Sequence, residues 1–175
     1  KEKKIVIGNL VKNQPFGVIG VRGNKTNIVK IDNLELYGGK DAVLNGSYYS
    51  GGLSIYNSKK VIVKNSFIHD NSADDGMNIK YSQIYLENNI FNGNKADQVD
   101  LDMCKGVIKN NKFIKTSIKN SIHIEYDDNG DGLDLSGSKV VVVDNLFNGF
   151  LDKGISVGEN TKLLVYKNRF INNRS

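Results

Sequence analysis

Residues 76–113 read GMNIKYSQIYLENNIFNGNKADQVDLDMCKGVIKNNKF. Within them Asn89 stands two positions before Phe91 and Asn111 two before Phe113, and the two markers are 22 residues apart. Working outward, the same spacing recurs at Asn65/Phe67, Asn145/Phe147 and Asn168/Phe170, with looser forms at Asn9/Val11 and Asn33/Glu35. Neighbouring Asn numbers differ by 24, 32, 24, 22, 34 and 23, which is a period of repeat arrays rather than of globular domains. Each unit also carries a short apolar alternation, such as Val61-Ile62-Val63, Ile84-Tyr85-Leu86 or Leu163-Leu164-Val165. Asn, Gly, Asp and Ser bound these runs, the pattern of strands separated by turns.

A second motif sets the register: Gly17-Val-Ile-Gly-Val, Gly52-Leu-Ser-Ile-Tyr, Gly76-Met-Asn-Ile-Lys, Gln98-Val-Asp-Leu-Asp, Gly132-Leu-Asp-Leu-Ser and Gly154-Ile-Ser-Val-Gly. Period-two alternation points the first and third residues after the Gly position inward and the second and fourth outward. Over nearly the whole chain, these two motifs resemble the right-handed parallel β-helix repeat proteins of the pectate-lyase-like superfamily. The resemblance implies an all-β fold, a right-handed single-stranded parallel β-helix (solenoid) of about seven coils. In stacked coils equivalent residues lie about 4.8 Å apart, so Asn side chains would bond into a ladder at a tight turn and Phe rings would stack beneath it as core.

The chain has 175 residues and no Pro-rich, Gly/Ser-rich or charge-block linker, so residues 1–175 read as one domain. No apolar stretch approaches the length of a membrane span. The lone Cys104 rules out an internal disulfide framework. Net charge is +5, with lysines spread over many units and aspartates gathered between Asp70 and Asp134. A diffuse lysine coat reads as a solvated face, and three arginines are few for phosphate or base readout, so no nucleic-acid partner is expected. Two stretches exceed the period, Gly38 to Gly52 and Thr116 to Asn129, and both lead into a Gly-initiated strand. Both are expected to edge the same face.

That face is acidic. Aligning the Gly-initiated strands gives three outward columns: Asp75, Asp97, Asp131, Lys153; then Ser54, Asn78, Asp100, Asp134, Ser156; then Tyr56, Lys80, Asp102, Ser136, Gly158. Asp is a poor strand residue, so Asp100, Asp102 and Asp134 ask for an explanation and are the candidate catalytic residues. Asp75, Asn78, Lys80, Asp97, Asp131 and Lys153 are the candidate substrate-binding set. Two carboxylates about 5 Å apart repel by roughly 1 kcal/mol in water, and more when desolvated. A cation, a shared proton or the neighbouring lysines must relieve them, which makes Asp97, Asp100, Asp131 and Asp134 candidate Ca²⁺ ligands. Turn amides before the Gly are the plainer partners for Asp75, Asp97 and Asp131. Stacked Asp100 and Asp134 would sit about 5 Å apart, whereas diagonal Asp102 and Asp134 would be about 8 Å apart, in the range of an acid and base flanking a water. His69 and His123 stand apart from each other and from Cys104, so no zinc site is expected.

The resemblance implies extended polysaccharides as ligands, bound or cleaved along this strand face by lyases, hydrolases or epimerases. Asp74-Asp75-Gly76 is similar to the paired aspartates of polygalacturonase-type hydrolases. Their Asn-Thr-Asp, Gly-His-Gly and Arg-Ile-Lys signatures are missing, as are the arginine signature of pectate lyases and the Asp-Pro-His of mannuronan epimerases. The expected protein is an extracellular or cell-surface β-helix that engages a polysaccharide and turns it over. Its alternative is a non-catalytic structural or adhesive solenoid module.

The ends carry a further expectation. Lys1 to Val6 enters a strand at once, and Asn168-Arg-Phe170 lies close to the last residue. Uncapped terminal coils expose apolar core and strand edges, so the chain reads as a segment of a longer protein or one that associates end to end. Charged gatekeepers (Glu2, Lys3, Lys4, Arg169, Arg174) would oppose that. Light scattering over a concentration series should show mass growing with concentration; a constant monomer would favour the gatekeepers.

Overall fold

The computed structural model describes residues 3–115 and 129–174, which build a right-handed parallel β-helix from three sheets. A ladder sheet stacks, in order, Ile5–Ile7, Leu34–Tyr37, Phe67–His69, Ile90–Asn92, Lys112–Ile114, Leu146–Asn148 and Arg169–Ile171. An aspartate sheet stacks Ile19–Arg22, Gly51–Tyr56, Asp75–Lys80, Asp97–Asp102, Leu133–Ser136 and Ile155–Gly158. A lysine-edged sheet stacks Ile28–Asp32, Lys60–Lys64, Gln83–Glu87, Lys105–Lys109, Lys139–Val143 and Lys162–Tyr166. Every pairing within these sheets is parallel, and the chain visits them in turn, one strand of each per coil. Among the described residues there is no helix.

Alternation in the short Val/Ile/Leu strands sends one side of each into a common core. Leu53, Met77, Val99 and Leu133 align in register, as do Ile55, Ile79, Leu101 and Leu135, all fully or almost fully buried. Corners need a residue in the left-handed region. Asn65, Asn88, Asn110, Asp144 and Lys167 supply it where the lysine-edged sheet passes to the ladder sheet, with φ of 49, 57, 55, 57 and 55°.

The residue after each corner faces inward with polar atoms that no water reaches, and stacking pairs them. Asn89, Asn111 and Asn145 each donate their backbone N–H to the next Asn Oδ1, at 2.9, 2.8 and 2.8 Å. Their Nδ2 groups donate to the carbonyls of Val63, Leu86 and Ile108. Beneath runs the stack Phe91, Phe113, Phe147 and Phe170, with ring centroids 5.3, 4.7 and 4.9 Å apart. A second ladder, built of hydroxyls, occupies the corner between the aspartate and lysine-edged sheets. There Ser58 N–H donates to Ser82 Oγ, Cys104 N–H to Ser138 Oγ and Ser138 N–H to Thr161 Oγ1. A third corner lines up Asn71 and Asn94, and this explains the glycines at 52 and 76, whereas Gly132 and Gly154 make room for Phe147, Phe150 and Phe170. A Cβ at Gly52 would stand 2.7 Å from Asn71 Oδ1, and one at Gly76 would stand 2.3 Å from Asn94 Nδ2.

The early coils depart from the sequence reading by one residue. Asn65 is the corner itself, Ser66 takes the ladder place, and Ile68 pairs with Phe91 in the core. Phe67 therefore faces outward, its ring 3.9 Å from that of His69. The same slip applies at Asn33, where Leu34 and Leu36 are the buried pair and Glu35 faces out. Asn9 lies beyond the first strand and makes no rung. In the Gly17 motif Ile19 and Val21, not Val18 and Gly20, align with inward Leu53 and Ile55. A one-residue slip exchanges the faces of a strand, and burying two branched side chains decides the outcome.

The Gly38 to Gly52 excursion forms an antiparallel hairpin, Ala42–Leu44 with Ser47–Tyr49. It folds onto the outward side of the aspartate sheet: Tyr49 covers Gly20 and stacks on Tyr56 at 4.9 Å. Of the Thr116 to Asn129 insertion, residues 116–128 and with them His123 lie outside the described residues.

Urea unfolding should show Phe91→Ala and Phe113→Ala each costing about 3 to 5 kcal/mol, because both rings are fully buried in the stack. Phe67→Ala should cost about 1 kcal/mol, as a half-buried outward ring. Equal losses at positions 67 and 113 would contradict this register.

Candidate functional site

Three strands of the aspartate sheet, Asp75–Lys80, Asp97–Asp102 and Leu133–Ser136, carry the site. Their register places Asn78 beside Asp100 and Asp100 beside Asp134, with Lys80 beside Asp102 and Asp75 beside Asp97. The columns drawn from the Gly-initiated motif thus exist as rows in space. The face is less open than simple alternation suggests. Asn78 is 0% exposed and Asp75 4%, while Asp100, Asp102 and Asp134 are half-buried.

Each polar side chain has a definable task. Asn78 Nδ2 donates to Asp100 Oδ2 at 2.6 Å, and Lys80 Nζ lies 2.7 Å from Asp102 Oδ2 and 5.6 Å from the centre of the Tyr56 ring. Asp97 Oδ1 accepts the Asp131 amide at 2.6 Å, and Asp131 Oδ1 accepts the Lys153 amide at 2.8 Å. The amide therefore comes from the next coil, and each aspartate hands the bond on. Lys153 Nζ pairs with Asp152 and stands 3.8 Å from Asp131 Oδ1. Asp134 Oδ1 accepts the amide of Leu135. Lys115, unremarked in the sequence, closes the turn above Asp97 by donating to the carbonyls of Asn94, Lys95 and Ala96 at 3.1, 2.9 and 2.6 Å. The buried side-chain atoms of this face that lack a hydrogen-bond partner among the described residues include Asn78 Oδ1 and the Tyr56 hydroxyl.

Burial and mutual repulsion shape the acidity. Burial, then the charges of Asp102 and Asp134, push the Asp100 carboxyl up to about 8. Burial raises Asp97 to about 7, opposed by the Asp131 amide it accepts. Asp75 is raised by burial and then by Asp100 and Asp97, and Asp131 by burial against the pull of Lys153. Protons and lysines thus relieve the repulsion. Among the described residues no three or more of His, Cys, Asp and Glu are grouped so as to hold a metal ion. Of the four candidate Ca²⁺ ligands, Asp97 and Asp131 spend an oxygen on backbone amides. His69 belongs to the ladder sheet, its Nδ1 2.8 Å from Asp70 Oδ2 and its Nε2 3.3 Å from Glu35 Oε1. Cys104 is a rung of the hydroxyl ladder, and burial pushes its thiol up to about 12.

Both Asp97 and Asp100 bind a proton more tightly in the folded chain than in the unfolded one, where aspartate titrates near 3.9. Their contribution to stability is complete below about pH 4 and is lost as the pH rises through about 7 and 8. Glu87, held down at about 2 by Lys109 and Lys64, acts in the other sense and only in acid. The thermal midpoint should therefore fall between pH 5 and pH 8.5, and Asp100→Asn should flatten that fall. A midpoint that rises over this range in the parent chain would contradict the burial of these carboxyls.

Comparison with known proteins adds one finding. No curated protein and no solved structure matches the chain. The profile of the NosD family, described as periplasmic copper-binding protein, matches residues 1–175. Repeat period, coil register and this full-length match agree: the chain belongs to the NosD family of β-helix proteins.

Proposed function

We propose that this chain is an extracytoplasmic β-helix whose aspartate face engages a polysaccharide and cleaves its glycosidic bonds, with Asp100 as the acid and Asp134 as its partner. The observation that carries this reading is the stacked pair Asp100/Asp134, half-buried on the outward side of the sheet. A carboxyl whose acidity is shifted to about 8 holds its proton at neutral pH and can give it to a leaving oxygen. Asn78, buried beside it, supports that proton holder through Nδ2. Asp102 is held by Lys80, so the diagonal pair is less available than the stacked one. Stacked carboxyls about 5 Å apart match the spacing of retaining glycosidases, in which the second carboxylate attacks the anomeric carbon. The family description supports a periplasmic or outer location, and among the described residues no helix is long and apolar enough to cross a membrane.

The family description also names copper. Copper sites draw on imidazole, thioether and thiolate donors. Here both ring nitrogens of His69 face carboxylates, Met77 is packed in the core, Met103 is an exposed corner residue with its sulfur against Gly137, and Cys104 Sγ lies 3.3 Å from the Ile79 carbonyl. These described donors do not converge and do not fit a copper site, and no step above runs through the metal. A structural or adhesive solenoid is the second reading. It is favoured by the relay through Asp97, Asp131 and Lys153, which spends acidic side chains on joining coils.

The test is incubation with a panel of polysaccharides, followed by assay for new reducing ends and for unsaturated products. Reducing ends with retained anomeric configuration are expected, and Asp100→Asn or Asp134→Asn should slow their release about 10²- to 10⁴-fold without lowering the melting temperature. Absence of both product and binding across the panel would leave the structural reading in possession.

A further inference from the structure

The lysine-edged sheet carries a feature that neither the acid face nor the core uses. Its first outward row, one residue per coil, runs Lys60, Gln83, Lys105, Lys139, Lys162. All five side chains are exposed. The ion pairs of the described residues go elsewhere: Lys64 and Lys109 clasp Glu87 two rows away, and Lys80 and Lys153 serve the acid face. None of the four lysines in the row has a carboxylate partner among the described residues. Neighbouring coils set Lys105 about 4.8 Å from Lys139, and Lys139 the same distance from Lys162, at the backbone, a spacing at which two ammonium groups repel by roughly 1 kcal/mol in water. Alternation and core burial do not require a cation at this position, since the residue opens each strand and faces solvent.

We propose that the row Lys60, Lys105, Lys139 and Lys162 is a docking track for a linear acidic polysaccharide carrying one carboxylate per sugar. The track runs along the solenoid axis, so a chain lying on it meets one cation per coil. A pyranose residue advances a glycan by a distance close to one coil, so the carboxylates that the chain's twist turns toward the track fall on lysines a whole number of coils apart. The surface beside the row carries two shallow, open depressions. One groove of about 350 Å³ is lined by Lys25, Lys59, Lys105, Tyr81 and Met103. Another of about 390 Å³ lies between Lys139 and Lys162 over Val141 and Leu164. Exposed aliphatic and aromatic groups next to cations suit the apolar C–H faces of sugar rings. Gln83 interrupts the charge with a neutral hydrogen-bonding group that suits a hydroxyl.

A nucleic-acid strand fits less well. Its phosphates advance by about 3.4 Å along a duplex axis, out of step with the coils. The row also lacks arginine and a run of aromatic rings on which successive bases could stack. The aspartate face is the wrong sign for a polyanion, so the track does not depend on the acid chemistry proposed above.

The experiment measures binding of polygalacturonate to the whole chain by titration calorimetry, at several salt concentrations, with dextran as the neutral glycan. The parent chain should bind polygalacturonate and not dextran, with affinity falling as salt rises. Lys105→Gln, Lys139→Gln and Lys162→Gln combined should weaken binding at least about ten-fold and make the log–log salt slope shallower by about two, roughly 0.7 for each of the three lost contacts. The combination Lys3→Gln, Lys12→Gln and Lys40→Gln removes the same charge elsewhere and should leave affinity within about two-fold, since separated surface charges are screened. Cleavage of the neutral polysaccharide panel by the Lys105, Lys139 and Lys162 triple variant, assayed separately, separates failure of the track from failure of the acid site. Equal loss in the two triple variants, no binding by the parent chain, or equally tight binding of single-stranded oligo-dT would overturn the proposal.

Discussion

Parallel stacking in register is the constraint from which the rest follows. Each coil lies about 4.8 Å from the next, so every residue sits over its equivalent and must tolerate the likeness. For amides the likeness is favourable, because Asn111 accepts from Asn89 while donating to Asn145 and to the Leu86 carbonyl. For phenylalanine it is also favourable, as the stack from Phe91 to Phe170 shows. For charges it is not. Asp100 over Asp134, or Lys105 over Lys139, is a repulsive pair that the core does not require. Those are the positions on which the proposed functions rest.

The chain resolves its two like-charge rows differently. On the aspartate face, partial burial lets protons neutralise Asp97 and Asp100, while Lys80 and the coil-to-coil amides occupy Asp102, Asp97 and Asp131. On the lysine-edged face the row stays solvated, and screening alone limits the repulsion. One surface carries carboxyls whose acidity burial weakens and the other carries cations without a carboxylate partner among the described residues, with the hydroxyl ladder of Ser82, Cys104 and Ser138 forming the corner between them.

Much of this was legible in the sequence, and the reasons are local. From Asn89 onward each rung is an Asn and each core ring a Phe, so the period announced itself. In the earlier coils Ser66 and Leu34 replace the Asn, and the nearest Asn is the corner residue one step before, which displaced the register. The Gly-initiated strands aligned correctly from Gly52 on because buried Leu, Ile, Met and Val alternate without a gap. The hydroxyl ladder was not legible, since Ser, Cys and Thr share no letter and corner residues as different as Tyr81 and Met103 precede them. Burial of Asn78 and Asp75 was not legible either, because alternation specifies which way a side chain points and not what covers it. The lysine row was hidden among other lysines until the strands were placed side by side.

The central claim is that coil stacking holds Asp100 next to Asp134 in a partly desolvated row. Carbon-13 NMR of the aspartate carboxyls across a pH titration tests it most directly. The account predicts an Asp100 resonance titrating near 8 and an Asp97 resonance near 7. If both titrate near 3.9, the value of a solvated aspartate, the row is neither buried nor coupled and the account of this face fails.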